Sequence, residues 1–116
     1  MNSGLNIDGK LAQLKCKPCT PATPALNSEQ IKIFMTQLDG WLQNDMVITK
    51  TFAFKNYYQT ISFVNAIAWI CNQEDHHPEL GVSYNKCKVE FTTHDIKGLS
   101  ENDFICAAKL DALLTA

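Results

Sequence analysis

Apolar positions between Leu26 and the C-terminus recur with two periods, one of about 3.6 residues and one of about 2, and the switches between them mark the elements. Asn27 with Gln30 three residues on has the form of a capping box, which satisfies free N–H groups at a helix start. Ile31, Phe34, Met35 and Leu38 then follow at helical spacing, and Gly40 stands where that helix would stop. Trp41 and Leu42 lead into Asn44-Asp45, and Met46 to Phe54 is rich in β-branched and aromatic residues, which predicts a hairpin with Ile48, Phe52 and Phe54 on one face. From Asn56 to about Asp75 the period lengthens again. Ile61, Val64, Ala68 and Cys71 lie on one line, with Phe63, Ile67 and Ile70 beside it, predicting a central, well-covered helix.

Pro78 forbids that helix from continuing, because proline lacks an N–H and disfavours helical geometry in the residue before it. His76 and His77 therefore sit at a helix exit. Two strand-like runs flank Asn85-Lys86, and in the second Cys87, Val89 and Phe91 alternate with Lys88, Glu90 and Thr92. Ser100 can cap a last helix, with Asp103 facing the positive end of its dipole and Ala107, Leu110 and Leu114 as its apolar stripe. These elements predict an α+β fold, a four-stranded antiparallel sheet with three helices packed on one face. The domain spans residues 26–116.

Residues 1–25 carry three of the four prolines and little periodicity, and read as a flexible N-terminal tail. Within it Cys16-Lys-Pro-Cys19 has the spacing of a redox pair or half a zinc site, but no second pair completes a zinc site, so an exposed tail without chemistry is the alternative. No apolar run there has the length of a signal peptide, and no segment approaches transmembrane length. The net charge of −2 gives no attraction to phosphate backbones, so direct nucleic-acid binding is not expected. All ten basic residues are lysine, and without arginine the planar fork that grips phosphate is missing. Cys71, Cys87 and Cys106 fall in apolar patterns as small buried hydrophobes, and a reducing cytoplasm is the simplest setting.

Candidate chemistry concentrates in the histidines. All three lie between His76 and His94, and histidine is the side chain that titrates near neutrality without help. A helix exit favours a protonated imidazole at His76 and His77, and Glu74 and Asp75 add negative charge, which suits general acid catalysis. Two alternatives remain open on residue types alone: solvated polar groups at element ends, or a metal site with Asp75. Adjacent His76 and His77 would point apart, unlike a helical H-x-x-x-H pair, which weighs against metal. No G-x-S-x-G elbow supports nucleophilic hydrolysis.

Asp75-His76-His77-Pro78, Tyr84-Asn85-Lys86, Thr92-Thr93-His94-Asp95 and Gly98-Leu99-Ser100-Glu101-Asn102-Asp103 resemble, in order and spacing, the signature of the pterin-4a-carbinolamine dehydratase family. The resemblance implies a 4a-hydroxytetrahydropterin substrate that loses water to give a quinonoid dihydropterin, with no metal or organic cofactor. It implies His76 and His94 as acids for the departing hydroxyl, and His77 as a pterin-binding group that assists proton removal. Asp75 and Asp103 would orient or charge the histidines, and Thr92 and Thr93 would line the pocket. Asn72 stands where many members carry an acidic residue, and can hydrogen-bond a pterin without supplying charge. Leu80 and Gly81 stand where many carry aromatics. The family further implies a homodimer or homotetramer, a link to an aromatic amino-acid hydroxylase through tetrahydrobiopterin recycling and, as an alternative function, a protein-binding module acting as a transcriptional dimerisation cofactor.

Overall fold

The computed structural model describes residues 11–114; the first ten residues of the expected tail and the last two of the expected domain lie outside them. Three α-helices and four strands follow in the order α1 (Ser28–Met35), β1 (Leu42–Asn44), β2 (Val47–Ala53), α2 (Tyr57–Glu74), β3 (Glu79–Val82), β4 (Lys86–Phe91) and α3 (Glu101–Ala112). Short 3-10 turns at Leu11–Gln13 and His94–Ile96 complete the chain. The strands form one antiparallel sheet in the order β1-β2-β4-β3. Three helices over a four-stranded antiparallel sheet is the α+β architecture that the periodicity predicts.

Local chemistry accounts for each boundary. Asn27 and Gln30 form the expected capping box at the start of α1, with both bonds at 2.9 Å. Asn56 caps α2 by accepting the Gln59 N–H. The β1–β2 turn passes through Asp45 at φ 56°, a left-handed conformation that aspartate tolerates because its short polar side chain bonds locally.

Register decides which strand residues meet the helices. Ile48 pairs with Phe91 and Phe52 with Cys87, so these four, with Val89 between them, present one face. That face packs against Phe34 of α1, Phe63, Ile67 and Cys71 of α2, and Phe104, Ala107 and Leu110 of α3, all buried. Phe34 and Phe104 stack with ring centroids 5.1 Å apart. Each large side chain removed from water contributes about 1.5–3 kcal/mol, which makes this layer the main stabilising term. Lys50 also sits on the inner face, and its ammonium is satisfied by Asp111 Oδ1 at 2.8 Å and the Asp39 carbonyl at 2.7 Å.

Three expectations are corrected. The α2 stripe runs through Thr60, Phe63, Ile67 and Cys71, so α2 is covered on one side only; Ala68 is exposed, and Tyr58 and Trp69 are 80% and 68% exposed. A helix interior needs only about a 100° face to anchor it, and here the remaining apolar residues turn outward. Leu114 is exposed, so the α3 stripe ends at Leu110.

The third correction concerns the tail. Residues 11–19 are packed against the domain: Leu11 is 2% exposed and belongs to the core. Lys109 Nζ holds the Ala12 carbonyl, Glu74 accepts the Cys16 N–H, and Asn102 clamps Lys17 through both backbone groups, accepting its N–H at 2.9 Å and donating to its carbonyl at 2.6 Å. Further on, Ala25 passes so close to Gly98 that a Cβ there would come within 2.9 Å of the alanine's own, so this crossing requires glycine. Proline-rich segments lack periodicity because they fold in no regular element, yet buried side chains and paired backbone groups still order them.

Candidate active site

The exit of α2 positions the first two histidines. Asp75 caps the helix in the left-handed conformation, φ 53°, and its N–H and that of His76 bond back to carbonyls of the last turn. This reversal swings the His76 ring beneath the helix, where it lies parallel to the Phe91 ring of β4 at 5.9 Å between centroids. His77, one residue on, is exposed, as adjacent residues in extended backbone point to opposite sides.

Under the ring, His76 Nε2 lies 2.6 Å from Asp103 Oδ1; the two side chains are 12% and 0% exposed. Asp103 Oδ2 accepts from Thr93 Oγ1 at 2.8 Å and from the Ser100 N–H at 2.9 Å. Since the Thr93 hydroxyl spends its proton on the carboxylate, the 2.8 Å bond between Thr93 Oγ1 and Ser100 Oγ is donated by Ser100. Each carboxylate oxygen is thus an acceptor. That makes Nε2 the protonated ring nitrogen, with Nδ1 as the ring's acceptor nitrogen. Asp103 therefore does two jobs at once, capping α3 and fixing the His76 ring. Among the described residues no buried side-chain nitrogen or oxygen is left without a partner.

The other expected residues divide. Thr93 is buried within this network, whereas the Thr92 hydroxyl bonds to the Met46 carbonyl at 2.6 Å and braces the β1–β2 turn. His94 opens the 3-10 turn His94–Ile96 with an exposed side chain. Asn72 is exposed on the last turn of α2. An open cavity of about 380 Å³ lies between the α2 exit and the 3-10 turn, lined by Asp75 and Glu74 on one side, Asp95 on the other and residues 16–19 as a third wall. The sequence neighbours of His76 and of His94 thus border one space. Among the described residues no group of three or more histidine, cysteine, aspartate or glutamate side chains is arranged to hold a metal.

Sequence reasoning missed three supports. Ser100 and Phe91 were legible only as a helix cap and a strand position, though Ser-x-x-Asp before a helix is the pattern that ties Ser100 to Asp103. Glu74 was noted only as nearby charge. Burial pushes its carboxyl up, but the Cys16 N–H and the Lys109 and Lys15 ammoniums outweigh that and hold it below the usual carboxylate range.

The chain is similar to known proteins over most of its length. The family model described as pterin 4 alpha carbinolamine dehydratase matches residues 24–113. A Nitrosospira multiformis protein named "Putative pterin-4-alpha-carbinolamine dehydratase" is 62% identical over 103 residues, covering 89% of this chain and 91% of that one. A protein of the same name from Bdellovibrio bacteriovorus is 56% identical over 105 residues, covering 87% and 88%. Among solved structures, a transcriptional coactivator/pterin dehydratase from Brucella melitensis superposes with a TM-score of 0.73 at 31% identity, over 77% of this chain and 97% of that one. A pterin dehydratase-like protein identified as a RuBisCO assembly factor in the alpha-carboxysome gives 0.56 at 26% identity, over 65% and 89%.

Proposed function

The chain belongs to the pterin-4a-carbinolamine dehydratase family, and on that premise we propose that it removes water from 4a-hydroxytetrahydropterins, 4a-hydroxytetrahydrobiopterin among them, by histidine acid–base catalysis. In this reaction the C4a–O bond breaks, the departing hydroxide takes a proton, and N5 gives one up as its bond to C4a becomes double. The chemistry asks for a proton donor and a proton acceptor near neutral pH, a task imidazoles perform without a metal.

The observation that carries the reading is the His76–Asp103 pair at 2.6 Å, held in place by the bonds that Asp103 accepts from Thr93 and from the Ser100 N–H. A ring fixed through Nε2 presents Nδ1 in one orientation, so a proton is delivered without first ordering the side chain. The Asp103 carboxylate balances the charge when Nδ1 takes up the ring's second proton. In this reading His76 and His94 serve as acids on the leaving hydroxyl. His77 binds the pterin and takes the N5 proton, and Asp75, Thr92, Thr93 and Asn72 orient these groups or the ligand. Pterin recycling for an aromatic amino-acid hydroxylase, in the cytoplasm, is the role that suits such an activity.

The test is direct. Purified protein should accelerate the decay of the 4a-hydroxy species followed by ultraviolet absorbance, and the double variant His77→Ala/His94→Ala should return the rate to the uncatalysed one. An unchanged rate in that variant would overturn the assignment.

A protein-binding role is a second reading, supported by the exposed Tyr58 and Trp69 on α2 and by the coactivator description of the Brucella protein. The homodimer or homotetramer expected from the family would cover the same side of α2. Light scattering of the wild type and of Trp69→Glu distinguishes an assembly built on this face, which the variant would dissociate, from one built elsewhere.

A further inference from the structure

The Cys16-Lys-Pro-Cys19 motif plays no part in the dehydration chemistry, and the structure gives it a different geometry from the one its spacing suggests. Cys19 Sγ turns away, 3.5 Å from Asn102 Nδ2 and 3.9 Å from the Lys17 carbonyl. Cys16 Sγ instead meets Cys106 Sγ at 3.5 Å, across 90 residues of sequence. Cys106 is fully buried on α3 and hydrogen-bonds Cys71 of α2, so the N-terminal segment and two helices meet at three thiols.

We propose that Cys16 and Cys106 are an oxidisable thiol pair that closes, under a two-electron oxidant such as hydrogen peroxide, into a disulfide tying the N-terminal segment to α3. A disulfide bond is about 2.05 Å long, so the sulfurs need approach by only about 1.5 Å. The segment is already held in place by the Asn102 clamp on Lys17 and by the bond from Cys16 N–H to Glu74, so closure requires no search by a free chain.

The two thiols have different roles. Cys16 is partly exposed and lines the 380 Å³ cavity, where a small oxidant reaches it. Cys106 has no exposure, and its thiol hydrogen bonds to Cys16 and Cys71, together with burial, push it far above the usual thiol range. Peroxide therefore oxidises Cys16 first: its sulfur attacks one peroxide oxygen, the O–O bond breaks, and Cys16 sulfenic acid and water form. Cys106 sulfur then attacks the Cys16 sulfur, the S–S bond forms, and hydroxide leaves carrying the Cys106 proton as a second water. Two thiols lose two electrons and peroxide gains them.

The link would fix one wall of the cavity to the helix turn that carries Asp103, one turn before Cys106. The proposal stands independently of the dehydratase reading, since its primary readout is a covalent bond.

The full-length protein is treated with graded hydrogen peroxide, its remaining thiols are alkylated, and non-reduced peptides are mapped by mass spectrometry. The expected product is a peptide pair joining Cys16 to Cys106, reversed by dithiothreitol, present unchanged in Cys19→Ser and absent in Cys16→Ser. Cys106→Ala should let Cys16 run on to sulfinic acid at peroxide doses at which the wild type stops at the disulfide; because Cys106 is buried, the Cys16→Ser arm carries the test if that variant does not fold. A Cys16–Cys19 link, a Cys71–Cys106 link with Cys16 still a thiol, or Cys16 sulfinic acid with Cys106 unmodified in the wild type would overturn it.

Discussion

His76 and His94 are the same residue type and both are expected site residues, yet the fold treats them oppositely. His76 is nearly buried, stacked on Phe91 and tied to a fully buried carboxylate that is itself saturated by Thr93 and Ser100. His94 stands in solvent at the start of a three-residue turn. The contrast separates two ways of placing an imidazole. One is held before the ligand arrives, at the cost of burying charge and hydrogen-bonding groups that must all be satisfied. The other stands in solvent, where a substitution usually changes stability by less than about 0.5 kcal/mol.

That difference can be broken from the buried side first. Asp103→Ala removes a buried charge and leaves the His76 ring, the Thr93 hydroxyl and the Ser100 N–H without their acceptor. It should cost about 3 kcal/mol or more in urea unfolding, since each buried group left without its partner costs about 1–3 kcal/mol. An effect below about 1 kcal/mol would mean that the network is not the support described here. Thr93→Val keeps the volume and deletes one donor to Asp103, and should cost about 1–3 kcal/mol while lowering kcat with little change in KM.

The exposed side should answer differently. His94→Ala is expected to leave urea stability within about 0.5 kcal/mol of wild type. It should still reduce kcat by about 10²-fold or more if it acts as an acid. A variant that loses stability but not turnover would reverse the comparison.

The smallest effect sharpens the boundary between the two halves. Glu74 ends α2 two residues before His76, and its folded-state pKa is depressed, so its contribution to stability is fully present above the ordinary carboxylate value and is lost as pH falls through the folded one. Glu74→Gln should therefore flatten the acid limb of the stability profile, read as urea midpoints between about pH 6 and about pH 3, lying below wild type near neutrality and converging with it at the acid end. An acid limb identical to wild type would place the acid-labile group elsewhere.

Much of this was legible before any coordinates. The capping box at Asn27, the stop at Pro78, the alternation through Cys87, Val89 and Phe91 and the cap at Ser100 are local patterns, each decided by groups within a few residues of one another. The order and spacing of the histidine motifs were likewise legible. The α2 stripe was misread because its two flanks are almost equally apolar, and periodicity cannot say which flank meets the sheet when Ile61 and Ala68 compete with Thr60 and Ile67. The ordering of residues 11–19 is invisible to periodicity, because a segment without a repeating element leaves no periodic trace.

By itself, then, the sequence determined the elements, their order, the family and the three histidines, because helix, strand and cap signals arise from neighbouring residues. Only the tertiary structure decided that Asp103 serves His76 rather than α3 alone, that His94 remains exposed while His76 is half-buried, and that Cys16 faces Cys106 rather than Cys19. Those three outcomes join groups separated by 27, 18 and 90 positions, which no local pattern records. They follow from β2–β4 register and from the seating of the N-terminal segment on α3, where every buried polar atom must find a partner in space whatever its place in the chain.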